Sequence, residues 1–264
     1  MSSAVGQPRW VERLRSLPQL VESLQPRLRH GQRVAPAYLI AEQYYCEEQV
    51  ELELVRGEVA TPEMDEGKWI HEVVLAMKPA KLEELVTRII SGERYGCSLP
   101  LLAEVEGVPV AGVPDLLVFE GGKPVEVIEL KTAEKIPSSP WINNKVQALI
   151  YGLLLDLMGF DCSSLKLSVC YVRRGWELLP LLGLALAPKG AWKELEEEYP
   201  NDLRVFTFSY NRSEAESMVR WALSYWRGER EPIPTRKPEK CARCAYRDAC
   251  PYIVSRDLSL TDHF

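Results

Sequence analysis

The sequence predicts an α/β fold, with a mixed sheet flanked by helices, and three observations lead to it. Apolar residues recur at helical spacing over residues 9–30, 36–55 and 63–91. From residue 99 the pattern changes to runs of apolar strand formers bounded by glycine turns. Helix-like and strand-like segments then alternate down to residue 228. A chain of 264 residues with 46% hydrophobic composition can bury a substantial core.

Taken in order, the first segment places Trp10, Val11, Leu14, Leu17, Val21, Leu24 and Leu28 on a helical face, with breaks expected at Pro18 and Pro26. Residues 36–55 read as a helix opened by Pro36 and carrying Cys46. Residues 63–91 read as one or two helices, interrupted near Pro79. Residues 99–107 and 108–120 read as strands, and the Gly121-Gly122 turn leads into a further strand over 124–131. Pro140 opens a helix that Gly159 ends. Residues 165–174 and 176–186 read as a hairpin, 189–199 as a short acidic helix, 202–210 as a strand and 212–228 as an amphipathic helix. The remaining tail is charged, rich in proline and cysteine, and too poor in apolar residues to fold without another staple.

Charged residues make up 27% of the chain, which is ordinary for a globular protein. No apolar run approaches the roughly 20 residues that span a bilayer. The first residues lack the apolar stretch of a secretory signal. A soluble, cytoplasmic protein without membrane contact is therefore expected. The net charge of -6 excludes a protein that coats nucleic acid with its average surface. Any nucleic acid must meet a local basic patch. Arg173 and Arg174, the cluster Arg236, Lys237 and Lys240, and the arginines of residues 9–33 are candidates, although each taken singly reads more readily as solvated surface charge.

The sharpest chemical signal is Pro114-Asp115, then thirteen residues, then Glu129-Leu130-Lys131. The halves lie on consecutive expected strands, whose pairing can bring Asp115 and Glu129 together. Glu129 and Lys131, two apart in a strand, share a face. Phosphodiester hydrolysis uses such a set. Carboxylates hold Mg²⁺ or Mn²⁺, the metal activates a water, and a lysine orients that water and offsets developing charge. The Leu130 carbonyl could add a ligand. An ExK triplet alone is common, but Asp115 interrupts an apolar run, where a carboxylate is costly unless paired or metal-bound. Gln147 and Tyr151 share a helical face, as do Gly67 and His71.

Seven cysteines in a chain without a signal sequence argue against a disulfide scaffold. Cys241, Cys244 and Cys250-Pro251 supply three thiolates at metal-ligand spacing. A closed site needs a fourth, and Cys46 is a better candidate than Cys97, Cys162 or Cys170. By spacing, zinc is at least as apt as iron–sulfur.

The order Gly67-x3-His71, Pro114-Asp115, Glu129-x-Lys131 and Gln147-x3-Tyr151 resembles the RecB-like branch of the PD-(D/E)xK nucleases. Within that branch it is most similar to the CRISPR-associated exonucleases that carry an iron–sulfur cluster. The resemblance implies a restriction-endonuclease-like core. It implies His71, Asp115 and Glu129 as metal ligands, Lys131 as the water-positioning residue, and Gln147 and Tyr151 as substrate-positioning residues. It also implies an iron–sulfur cluster, [4Fe–4S] or [2Fe–2S], on Cys46, Cys241, Cys244 and Cys250, although Cys46 precedes Glu47 where relatives often have proline. The expected activity is exonucleolytic cleavage of single-stranded DNA or overhangs, in processing fragments for CRISPR adaptation with integrase partners. An exonuclease of the exonuclease V type, or a non-catalytic nucleic-acid scaffold with a zinc-stapled tail, are the alternatives. No GxxxxGK[ST] motif is present, so any motor would be a separate chain. One nuclease domain over 1–264 is expected, with a helical section to about residue 95, a sheet core to 210 and a helix with a cysteine tail to 264.

Overall fold

The computed structural model describes residues 7–57, 79–173 and 191–255. Gly67, His71, the first part of the expected 63–91 helix, Arg174 and the strand expected over 176–186 lie outside them.

Helix α1 (Arg9–Ser23) buries Trp10, Val11, Leu14, Leu17 and Val21 along one face. The expected break at Pro18 does not occur. Proline removes one helical hydrogen bond, but apolar anchors on both sides of it are packed into one core and hold the helix continuous. The chain turns only beyond Leu24, and a 3-10 turn follows at Arg29–Gly31. Helix α2 (Ala37–Arg56) begins after Pro36, as expected, but is broken at Cys46, whose φ of -167° and ψ of 114° are extended. Helix α3 spans Pro79–Ser91.

Two sheets follow. A three-stranded sheet has the order β1 (Ala35–Pro36), β4 (Val108–Gly112), β3 (Leu101–Val105). A five-stranded sheet has the order β2 (Tyr95–Cys97), β5 (Leu116–Glu120), β6 (Lys123–Ala133), β7 (Lys166–Arg173), β8 (Leu203–Ser209). The single strand expected over 108–120 is thus two strands in two sheets. Pro114 lacks an N–H and cannot continue a ladder, so the chain leaves one sheet after Gly112 and joins the other at Leu116. Among the described strands of the larger sheet, β6 and β7 run parallel and the other neighbours antiparallel, so the sheet is mixed as expected. Gly121 and Gly122, at φ 62° and 79°, make the β5–β6 turn in the left-handed region that side chains disfavour.

Helix α4 (Ile142–Met158), ended by Gly159, is buried along most of its length. It packs against α2, β3, β6, β7 and α6 (Arg212–Trp226). Asn211 caps α6 by accepting the Glu214 N–H at 3.0 Å. Helix α5 (Ala191–Glu198) lies beside β8. The larger sheet therefore has two faces. Leu117, Val127, Val169 and Tyr171 join the main core with α4. Leu116, Val118, Ile128, Cys170, Val172 and Leu203 form a smaller cluster on the other side. No helix among the described residues is long and apolar enough to cross a membrane.

Candidate active site and cysteine cavity

Strand pairing assembles the site. The β5–β6 register puts Leu116 opposite Ile128, and one step further brings Asp115 beside Glu129. Both lie on the α4 face, because alternation sends Ile128 the other way. Asp115 stands just before β5, where its Oδ2 accepts the Leu130 N–H at 2.7 Å. The carboxylate thereby takes a β6 donor just beyond the end of the β5 ladder, where the Pro114 carbonyl accepts from Ser98 instead. Burial pushes the Asp115 carboxyl above the ordinary range, opposed by that N–H and by the Lys131 charge.

Glu129 is 1% exposed and pairs through Oε1 with Lys131 Nζ at 2.8 Å. Lys131 Nζ donates to Gln147 Oε1 at 3.1 Å, and Gln147 Nε2 donates to the Tyr151 hydroxyl at 2.9 Å. Strand β6 and helix α4 thus share one polar chain across an apolar core. Its far end requires Gly112. A Cβ there would stand 2.6 Å from Tyr151 Cε1 and 2.7 Å from the Ala37 methyl, so a side chain at residue 112 would displace the tyrosine ring.

Two neighbours, Glu42 and Tyr171, escaped the sequence reading, as did the helix α4 groups that donate to them. Glu42 of α2 accepts from Asn143 Nδ2 at 3.0 Å, one helical turn before Gln147. Burial raises its carboxyl, opposed by the Asn143 bond and by the positive charges of Lys131 and Lys240. Tyr171 stands opposite Lys131 in the β6–β7 register. Its hydroxyl accepts from the Trp141 N–H and from Asn144 Nδ2, each at 2.9 Å. Adjacent asparagines at the head of an otherwise apolar helix were the available signal. Their partners lie 101 and 27 residues away along the chain.

Cys46, Cys241, Cys244 and Cys250 line one cavity, together with Tyr45, Gln49, Lys240 and Arg247. Cys97, Cys162 and Cys170 lie elsewhere, Cys170 being fully buried under the sheet. All seven are free thiols. Backbone donors face two of the sulfurs in the cavity: Thr235 N–H reaches Cys46 Sγ at 3.3 Å and Tyr252 N–H reaches Cys250 Sγ at 3.4 Å. Burial raises the Cys244 and Cys250 thiols, and the neighbouring cysteines add to the shift. Thiol sulfur is the soft donor type that iron–sulfur clusters and zinc take, and two of the four meet an amide donor, but the four are not gathered closely enough to hold a metal ion as they stand.

Among the described residues no group of three or more His, Cys, Asp or Glu side chains is gathered to hold a single metal ion. The hard oxygen donors present at the strand pair are Asp115, Glu129 and the Leu130 carbonyl, a set that fits Mg²⁺ or Mn²⁺. No position is assigned to His71, which lies outside the described residues.

A solved structure described as the crystal structure of SSO0001 is 14% identical, with a TM-score of 0.42, over 93% of this chain and 96% of that chain. No curated protein matches the chain. The family model for the PD-(D/E)XK nuclease superfamily matches residues 12–251, a span that holds Asp115, Glu129, Lys131 and the four cavity cysteines. With most of its length matched, the chain belongs to the PD-(D/E)XK nuclease superfamily.

Proposed function

We propose that this protein is a divalent-metal-dependent DNA exonuclease that acts on single strands or overhangs, built as one nuclease domain, with an iron–sulfur cluster in the cysteine cavity. Superfamily membership implies a metal-dependent nuclease and a nucleic-acid substrate. The observation that carries the reading is the polar chain Glu129–Lys131–Gln147–Tyr151 beside Asp115.

Asp115, Glu129 and the Leu130 carbonyl, with His71, would hold Mg²⁺ or Mn²⁺. When bound, such an ion polarises the phosphate and makes its water more acidic. Lys131 orients that water and stabilises the charge that develops on the phosphate. Gln147 aims the Lys131 ammonium, and Tyr151 fixes the Gln147 amide, so the cation rides on a rigid helix. In an Mn²⁺ assay with labelled single-stranded DNA, Lys131→Ala should slow cleavage about 10²–10³-fold, the cost of losing one charge-stabilising donor. Asp115→Ala should also lose Mn²⁺ affinity by calorimetry. Equal cleavage by all three proteins defeats the assignment. Folded wild-type protein that binds DNA without cutting it replaces the reading with a non-catalytic scaffold.

The convergence of Cys46 with Cys241, Cys244 and Cys250 supports the cluster. Anaerobically purified protein should be brown, with about four irons per chain for [4Fe–4S] and about two for [2Fe–2S]. Colourless protein carrying zinc would exclude it. The role in CRISPR adaptation, with integrase partners, rests on the motif order alone. Co-purification with the integrase proteins tests it.

A further inference from the structure

Helix α4 begins with an exposed apolar pair. Trp141, its N-cap, is 49% exposed, and Ile142 is 46% exposed. A tryptophan left half in water beside a charged site is unusual, because tryptophan normally buries most of its surface. Its place is fixed from below. The Trp141 N–H donates to the Tyr171 hydroxyl at 2.9 Å, and the two rings meet edge to face at 5.4 Å. Tyr171 is the strand neighbour of Lys131. On its other side Tyr171 meets Phe206 at 5.9 Å, also edge to face. Phe208, two residues on along β8, lies under the Lys145 ammonium at 5.3 Å. Phe206 and Phe208 are partly exposed. Ring contacts therefore run from Trp141 through Tyr171, the strand neighbour of Lys131, to Phe206 on β8, with the Lys145 ammonium over nearby Phe208.

We propose that Trp141, backed by Tyr171, is a stacking platform for a base of a single-stranded nucleic acid whose backbone enters the Lys131 site. The inference rests on the nuclease reading and names the side chain that would hold the single strand. A base offers its flat face to an aromatic side chain only where the strand is unpaired or frayed. Aromatic rings interleaved with cations are how single strands are held without sequence preference. The exposed apolar surface described at this point is two side chains, Trp141 and Ile142, too little to seat a protein segment. Trp141 is a positioning residue. It holds the strand and takes no part in bond cleavage.

The test compares Trp141→Ala, Trp141→Phe and Trp141→Leu. The hydrogen bond to Tyr171 comes from the backbone, so all three variants keep it and should match wild type in far-UV circular dichroism and melting temperature. Binding is read by anisotropy in EDTA, with labelled oligothymidylate of about 16 nucleotides, the upper end of common single-strand footprints. A blunt duplex of equal length is the control. Trp141→Ala should weaken single-strand binding roughly tenfold, as loss of one stacked base does. It should raise KM in Mn²⁺ with kcat little changed. Phe should restore most of the affinity, Leu should not, and the blunt duplex should be unaffected.

Unchanged binding by Trp141→Ala overturns the platform, as does rescue by Leu, which would mean generic apolar contact. Equal loss for duplex and single strand overturns it too. The outcomes separate from those of the parent reading. Wild-type protein that binds single strands through Trp141 but never cuts them keeps the platform and loses the nuclease. Wild-type protein that cuts, with a Trp141→Ala variant of normal affinity and KM, does the reverse.

Discussion

Glycine at position 112 carries as much of the candidate site as any charged residue. Tyr151 ends a polar chain that starts at Glu129, and its ring occupies the space a Cβ at residue 112 would take. Gly112→Ala should therefore move the tyrosine, loosen Gln147 and let the Lys131 ammonium wander. Displacements near 1 Å cost about a hundredfold in rate, so kcat on single-stranded DNA should fall by about that factor while the protein still folds. An unchanged kcat would mean that Tyr151 does not aim Lys131. The sequence reading named Asp115, Glu129, Lys131, Gln147 and Tyr151, which the structure brings together, because spacings of two and four residues give shared faces and a glycine turn pairs the strands of Asp115 and Glu129. It did not reach Gly112, Glu42 or Tyr171. Each of these meets the site across a tertiary contact, and the one trace in the sequence, the Asn143-Asn144 pair that Glu42 and Tyr171 meet, lies far from both along the chain. The same limit applies to the arginines of residues 9–33, which the sequence offered as patch candidates but read more readily as surface charge. Arg29 pairs with Glu51 at 2.9 Å and Arg15 with Glu83 at 2.7 Å, so both are committed to the protein's own carboxylates.

At the scale of elements, the instructive feature is the break in α2. An extended residue inside a helix orphans the donors and acceptors on either side of it. Here the C-terminal tail supplies their partners. Lys240 Nζ donates to the Tyr45 carbonyl at 2.8 Å, and the Glu47 N–H donates to the Ile233 carbonyl at 3.3 Å. Glu47, 1% exposed, pairs with Arg230 and also accepts the Ile233 N–H at 2.8 Å. The pairing of break and tail could not be read from either segment alone, because residues 36–55 have an unbroken helical pattern. Removing one partner of a buried ion pair leaves the other charge unmatched, at a cost of about 3 kcal/mol. Arg230→Met should lose about that much stability in urea unfolding, and the loss should shrink in the Glu47→Gln, Arg230→Met double variant. Independent, additive losses would show that the pair is not coupled. Strand boundaries failed for a related reason. The apolar run over 108–120 continues through Val113, and only the two-sheet arrangement turns Pro114 into a boundary.

At the scale of the whole molecule, the cysteine cavity joins residue 46 to residues 241–250, so one site would close nearly the full length of the chain. Loop-closure entropy grows only slowly with length, so the clamp stabilises mainly what it fastens locally. The neighbourhood divides into two parts. Trp226 donates its Nε1–H to Gln43 Oε1 at 2.8 Å and Arg230 stacks on Trp221, contacts that involve no cysteine. Beyond Pro234, the chain is held by Lys240, by Thr235 on Cys46 and by the Tyr246 hydroxyl on the Gly57 carbonyl at 3.0 Å. That stretch buries little apolar surface besides Cys241 and Tyr246. Stripping the proposed cluster by oxidation and chelation should therefore release the stretch from about residue 235 onward as a local unfolding unit, while the sheet and α4 persist. Limited proteolysis should cut the stripped protein among Lys237, Lys240 and Arg243 and leave the loaded protein intact, with far-UV circular dichroism nearly equal for both. Complete unfolding on stripping would show instead that the clamp supports the nuclease core itself. Equal resistance in both forms would show that the tail holds to α2 by its hydrogen bonds alone.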